Sequence, residues 1–187
     1  MIVKTKINKK TTFTRMCIAE AILELLDTID FEKLKISQII HRAGISRMTF
    51  YKYYRTPYDA LTDYLTIIVS EYMEQNQERN ERRKYLEYDH ILFSLKFFDQ
   101  YARYFLTLAK HNLQGILLEG VNAFMEEYIR PLKELSYYEM YFYAGGLLNC
   151  FLKWEENGKV DSAEDIAAIV CKLNQDVPGG RDVPGGR

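Results

Sequence analysis

ISQIIHRAGISRMTFYKYY, residues Ile36–Tyr54, decides the fold. Ile36, Ile39, Ile40 and Ala43 recur at helical spacing, so a first short helix has one apolar face. Gly44 follows where a helix stop calls for left-handed backbone. Ile45 plugs the corner, and Ser46 is a good N-cap for a second helix. That helix carries Arg47, Met48, Thr49, Tyr51, Lys52 and Tyr53, while Phe50 and Tyr54 hold its inner face. A short helix with Arg, Lys, Thr and Tyr along one side suits phosphates and base edges in a major groove.

Outward from this stretch the periodicity stays helical. A preceding helix runs from Thr11 or Thr12 to Thr28, with Ile18, Ile22, Leu25 and Ile29 as its buried stripe. Residues 1–10 are basic and aperiodic, a loose arm. After the quoted stretch, Thr56 caps a fourth helix, Pro57 takes its first turn and Asp59 completes a capping-box pattern. Ala60, Leu61, Tyr64, Leu65 and Ile68 line one face of it before it fades into the charged run EQNQERNERRKY. Further helices are expected over Tyr88–Asp99, Tyr101–Lys110, a segment with Leu117, Val121, Phe124 and Tyr128 ending near Pro131, and Tyr137–Asn157. Ser136-x-x-Glu139 opens the last of these and Gly158 stops it. Ser162-x-x-Asp165 opens a final helix carrying Ile166, Ile169, Val170 and Leu173. The expectation is all-α, with about nine helices: a three-helix N-terminal unit over 1–56 and a helical bundle over 57–175, joined by the fourth helix. The repeat DVPGGR-DVPGGR, 176–187, is too short for a fold and reads as a flexible tail.

Composition sharpens the division. Residues 1–56 hold 11 Lys and Arg against 5 Asp and Glu; the remainder holds 14 against 21. A basic head on an acidic body fits nucleic-acid binding. No secretory segment opens the chain and no stretch is long enough to span a bilayer, so a cytoplasmic location without membrane contact is expected. Cys17, Cys150 and Cys171 are odd in number and widely spaced, which favours buried thiols over disulfides or metal. His41, His90 and His111 show no metal spacing, and no G-x-S-x-G, H-E-x-x-H, phosphate-loop or dinucleotide-binding pattern occurs. Neither an enzyme, nor a cofactor, nor a metal site is expected.

Ala43-Gly44-Ile45-Ser46 and Thr49-Phe50-Tyr51-Lys52-Tyr53-Tyr54, with Thr56, Asp59 and Leu61, closely resemble the helix-turn-helix of the tetracycline-repressor (TetR) family of bacterial transcription regulators. The resemblance is specific over residues 11–65. Gly145-Gly146, Trp154, Gly158, Ser162 and Glu164 resemble, more loosely, a C-terminal domain found in such regulators of Gram-positive bacteria, including those of dihydroxyacetone-kinase operons. The resemblance implies a homodimeric, ligand-responsive repressor on a pseudo-palindromic double-stranded operator, nucleoid-associated when bound. The alternative is a ligand-independent DNA-binding adaptor or coactivator that recruits a protein through its bundle.

By the same resemblance, Arg47, Met48, Thr49 and Lys52 face bases or groove edges, while Tyr51, Tyr53 and Ser46 touch phosphates. Lys35 stands where many members carry a capping Thr or Ser and adds a charge near the DNA backbone, so Ser37 is expected to cap the second helix instead, and both are expected among the DNA-binding residues. Pro57 replaces a phosphate-binding Lys, a role that falls to Arg55 or Tyr58. A small hydrophobic or aromatic effector would sit among Phe97, Tyr101, Phe105, Phe124, Tyr128 and Tyr143 in a pocket of a few hundred cubic ångströms, although aromatics at helical spacing make plain core equally well. Leu148, Phe151, Ile166, Ile169, Val170 and Leu173 would form the dimer interface, with the last two helices packing on their symmetry mates.

Overall fold

In the computed structural model of the chain, residues 9–78, 87–130 and 136–176 are described. Among these residues nine α-helices follow one another: α1 (Lys9–Leu26), α2 (Ile36–Ala43), α3 (Arg47–Tyr53), α4 (Pro57–Glu78), α5 (Tyr88–Asp99), α6 (Ala102–Lys110), α7 (Gln114–Phe124), α8 (Tyr137–Glu156) and α9 (Ala163–Asp176). A 3-10 turn (Phe31–Lys33) precedes α2, and a π turn (Met125–Ile129) prolongs α7. No strand occurs among the described residues. None of their helices is long and apolar enough to cross a membrane. Of the basic arm, Lys9 and Lys10 belong to α1 rather than to a loose segment, and Asp176 of the DVPGGR repeat ends α9; the rest of both, and most of the charged run after α4, lie outside the described residues.

The helix ends follow local chemistry. Ser136 and Glu139 satisfy each other's backbone amides at the start of α8, at 3.2 and 2.8 Å. Thr56 and Asp59 do the same for α4 at 2.9 and 3.2 Å, and Ser162 and Asp165 for α9 at 3.2 and 3.1 Å. Ser37 is not the cap of α2; it is an exposed residue inside the helix. Lys35 takes the N-cap position, and its backbone amide donates to Gln38 Oε1 at 2.9 Å. Gln38 thus supplies one half of a capping box, its side chain taking the N-cap amide, while its own amide bonds the Lys35 carbonyl at 2.9 Å. Gly44 closes α2 at φ 64°, and the Ile45 amide reaches back to the Ile40 carbonyl at 3.0 Å. α1 ends two residues before Thr28, because the Thr28 and Ile29 amides both turn back onto the Leu25 carbonyl. His111 Nε2 covers the Leu26 carbonyl at 2.9 Å, so this histidine caps α1 from the far end of α6.

α4 joins the two halves. It packs on α1 at one end and on α7 further along, and Tyr104 of α6 donates to its Leu61 carbonyl at 2.9 Å. One continuous buried cluster runs from Ile18 and Ile22 of α1 through Leu61 and Ile68 of α4 to Val170 of α9. A smaller cluster gathers Met125, Ile129, Met140 and Ala144 around the π turn. Gly120 lets α7 approach α4 closely; a Cβ there would stand 2.3 Å from Leu65 Cδ2. α5 makes its broadest contact with α9. Cys17, Cys150 and Cys171 are half-buried and form no disulfide.

Burial first, then hydrogen bonding to Asp63, Glu20 and Glu71 respectively, raises the phenols of Tyr54, Tyr64 and Tyr101 above 10.0. Burial raises Tyr104 likewise. The folded chain therefore holds these protons more tightly than the unfolded one. Their stabilisation is complete below pH 10 and is lost as pH rises through the elevated values. We expect an unchanged urea midpoint from neutrality to about pH 9, then a steep fall above about pH 10. Phenolate absorbance from these four should appear together with loss of helical circular dichroism. Ionisation of every tyrosine near 10 with the helices intact would contradict the burial described here.

Candidate nucleic-acid interface and buried cavity

α3 is a short helix whose sequence separates its two faces. Ser46 caps it, accepting the Thr49 amide at 3.0 Å, and Thr49 Oγ1 lies 2.8 Å from Ser46 Oγ. Phe50 is fully buried and Tyr54 nearly so, fixing the inner face. Arg47, Met48, Tyr51 and Lys52 are exposed, Met48 to 83% and Tyr51 to 52%. Thr49 and Tyr53 are half-buried at the margin. Lys52 Nζ lies 5.4 Å from the centre of the Tyr53 ring. Lys35 and Ser37 at the start of α2, and Arg55 just past α3, are exposed as well.

The cations fall into two groups. Arg15 pairs with Asp63, Arg42 with Glu24 and Arg103 with Asp27 at 2.8 Å. No carboxylate among the described residues pairs with Arg47, Lys52 or Arg55. The charge around α3 is thus left open to an outside anion, whereas the framework charges are engaged.

Asp63 of α4 orients this face. Its Oδ2 accepts from Arg15 Nε of α1 at 2.7 Å and from the Tyr54 hydroxyl at 2.5 Å; the second Arg15 nitrogen donates to Oδ1. The hydrogen bond to Asp63 raises the Arg15 guanidinium further above its ordinary value. Three helices therefore meet on one carboxylate directly behind the exposed face. The Tyr64 hydroxyl adds a second tie to α1, donating to Glu20 Oε1 at 2.5 Å. Asp63→Ala removes the acceptor of two charge-assisted bonds and one phenol bond in a partly exposed site. It should destabilise the fold by about 1–3 kcal/mol in urea unfolding. A loss under about 0.5 kcal/mol, the range of ordinary surface changes, would show that the clasp contributes little.

The interior of the second half holds a cavity of ≈ 110 Å³. Phe105, Phe124 and Tyr143 line it, as do Leu65, Val69, Phe98, Val121 and Leu148. Phe97, Tyr101 and Tyr128 stand off its wall. Phe97 is buried edge-on against Tyr72, at 5.3 Å between ring centres. The Tyr101 hydroxyl donates to Glu71 at 2.6 Å, and Tyr128 stacks on Phe124 at 5.4 Å. Besides Tyr143, the polar groups at the cavity are ones the periodicity did not single out: Tyr72, His90 and Ser94. The Tyr72 hydroxyl is 2.7 Å from His90 Nε2 and 2.9 Å from Ser94 Oγ. His90 and Ser94 sit four apart on α5, the two polar residues among its buried positions, a spacing that was present in the sequence. No cluster of His, Cys, Asp and Glu suited to a metal occurs among the described residues.

On α8 and α9 the structure separates the interface candidates. Ile169 and Leu173 are exposed to 53% and 57%, Leu148 and Ile166 are half-buried, and Phe151 and Val170 face the chain's own core. Exposed Tyr138 and Phe142 of α8 extend the apolar surface beyond the six residues read from sequence.

No protein-family profile matches the sequence. No curated protein matches it either. A solved structure does resemble it: the dihydroxyacetone kinase operon activator DhaS, with a TM-score of 0.58 at 16% sequence identity. The likeness covers 88% of this chain and 95% of that one. At that identity it shows a shared fold across nearly the whole length.

Proposed function

We propose that this chain is a sequence-specific DNA-binding transcription regulator, cytoplasmic and nucleoid-associated when bound. The observation that carries the reading is α3, a capped helix behind a tight Gly44 turn, with Arg47 and Lys52 exposed and unpaired by any carboxylate of the described residues. The width of such a helix suits a major groove, where Arg and Lys donate to guanine O6 and N7. Residues 1–56 form the reading head in this proposal, and 57–175 the part that dimerises and responds to signals. Its likeness in fold to an operon activator supports the assignment, as does the resemblance of Ala43–Tyr54 to the TetR helix-turn-helix.

The working unit in this proposal is a homodimer on a pseudo-palindromic operator. Exposed Tyr138 and Phe142 on α8 and Ile169 and Leu173 on α9 form an apolar surface that a monomer has reason to cover. One isologous four-helix contact would place two α3 helices roughly 34–36 Å apart, one turn of DNA. Ligand-responsive repression is the first reading of control, with α4 carrying the signal. A second reading, recruitment of a protein partner through the bundle, is favoured by the size of the cavity, ≈ 110 Å³ where a few hundred were expected.

Selection from random duplex DNA should return a symmetric site whose affinity drops steeply with salt, because bound phosphates release counterions. Arg47→Ala and Lys52→Ala should each cost about 1–3 kcal/mol and relax base preference at one position. Tyr53→Phe should weaken all sequences alike, since a phosphate contact carries no base information. An asymmetric or salt-insensitive site would count against the proposal. Ile169→Asp should give monomers in sedimentation and poor operator binding. An intact dimer would move the interface elsewhere.

A further inference from the structure

The cavity between α4, α5, α7 and α8 has a chemistry that narrows what can enter it. Its walls are mostly hydrocarbon, with polar groups on Tyr72, His90, Ser94 and Tyr143, and no Asp, Glu, Lys or Arg is among the described residues that line it. An ionised guest would lose its hydration there with no opposite charge to replace it. Size is equally restrictive. A dry cavity of about 150 Å³ lined by Leu, Ile and Phe takes up benzene. This one, at ≈ 110 Å³, is of that order and far below the volume that a drug-sized ligand needs.

The polar corner has a definite proton arrangement. Ser94 Oγ donates its single proton to the His90 carbonyl at 2.9 Å. The contact at 2.9 Å between Tyr72 and Ser94 must then be donated by the Tyr72 hydroxyl. The contact at 2.7 Å between Tyr72 and His90 is in turn donated by Nε2–H, which places a ring proton on that nitrogen. Both hydroxyl protons are committed. What Ser94 Oγ still offers a guest is a lone pair, which suits a donor such as an alcohol or phenol rather than an ether or ketone.

We propose that this cavity binds a neutral, compact molecule of about one aromatic ring, with at most one hydroxyl, directed at Ser94. Any effect on DNA rests on the regulatory reading above, but occupancy does not. The route to the reading head is short. Leu65, Val69 and Tyr72 of the wall belong to α4, the helix that carries Asp63. Leu65 already abuts Gly120, a position with no side chain to give way.

The test uses the full chain without DNA and fluorine NMR of three probes at neutral pH: fluorobenzene, 4-fluorophenol and 4-fluorobenzoate. The two neutral probes should bind saturably. The ionised benzoate should bind weaker by about tenfold or more. 4-Fluorophenol should bind no worse than fluorobenzene, because Ser94 replaces the water its hydroxyl loses. Val121→Phe places a ring in the void and should abolish both neutral interactions; Val121→Met serves if the larger side chain prevents folding. Three results would overturn the proposal: no neutral probe binding up to its solubility limit, benzoate binding as tightly as fluorobenzene, or binding that survives in a folded void-filled variant. Operator affinity is measured separately. Failure of the wild-type chain to bind any DNA would defeat the regulator reading and leave the probe result standing.

Discussion

The arrangement of the first half depends on one carboxylate. Asp63 draws Arg15 of α1 and Tyr54 from the end of α3 onto α4. α3 has only seven residues, too few to hold its shape or direction alone. Its inner face rests on Phe50 and Tyr54, and Tyr54 in turn depends on Asp63 for its hydroxyl partner. A half-buried ion pair contributes modest net free energy. Its larger effect here is directional, since a bidentate guanidinium and a phenol can meet the same carboxylate in few geometries. The exposed face of α3 is therefore oriented from behind, by residues on its inner side.

Charge is divided by task. Cations that hold the frame are matched with carboxylates on other helices, and those around α3 are not. A similar division holds inside. Tyr104 and Tyr64 place their hydroxyls on a carbonyl and a carboxylate away from the cavity, whereas Tyr72, His90 and Ser94 join in one hydrogen-bonded group on its wall. A polar group left next to a void with its own partners in place costs little until a guest arrives.

Local features were legible in the sequence. The reciprocal caps at Ser136 and Glu139, Thr56 and Asp59, and Ser162 and Asp165 involve residues three apart, and α5 spans the residues that periodicity gave it. The turn at Gly44 needed only the rule that few other residues tolerate its φ. What was not legible depended on distant partners. Asp63 meets a residue 48 positions earlier, and nothing near it in sequence marks the match. Ser37 was expected to cap α2 because its side chain type fits, but the helix begins earlier, with Lys35 at the N-cap and its amide taken by Gln38. Periodicity placed Phe97 and Tyr101 on inward faces without revealing that Tyr72 and Glu71 of α4 lay opposite.

The π turn at Met125–Ile129 fits one more residue into the end of α7 than an α-helix would. Its buried members, Met125 and Ile129, both reach the cavity wall. Excision of the extra residue would restore ordinary pitch and keep the residues beyond it near their present faces, so the change falls on the turn itself. The part of the wall that Met125 and Ile129 supply would be re-formed there while the rest of the chamber stayed in place. A lineage carrying this fold thus has a way to reshape one side of the chamber in a single genetic step, through the backbone of one turn.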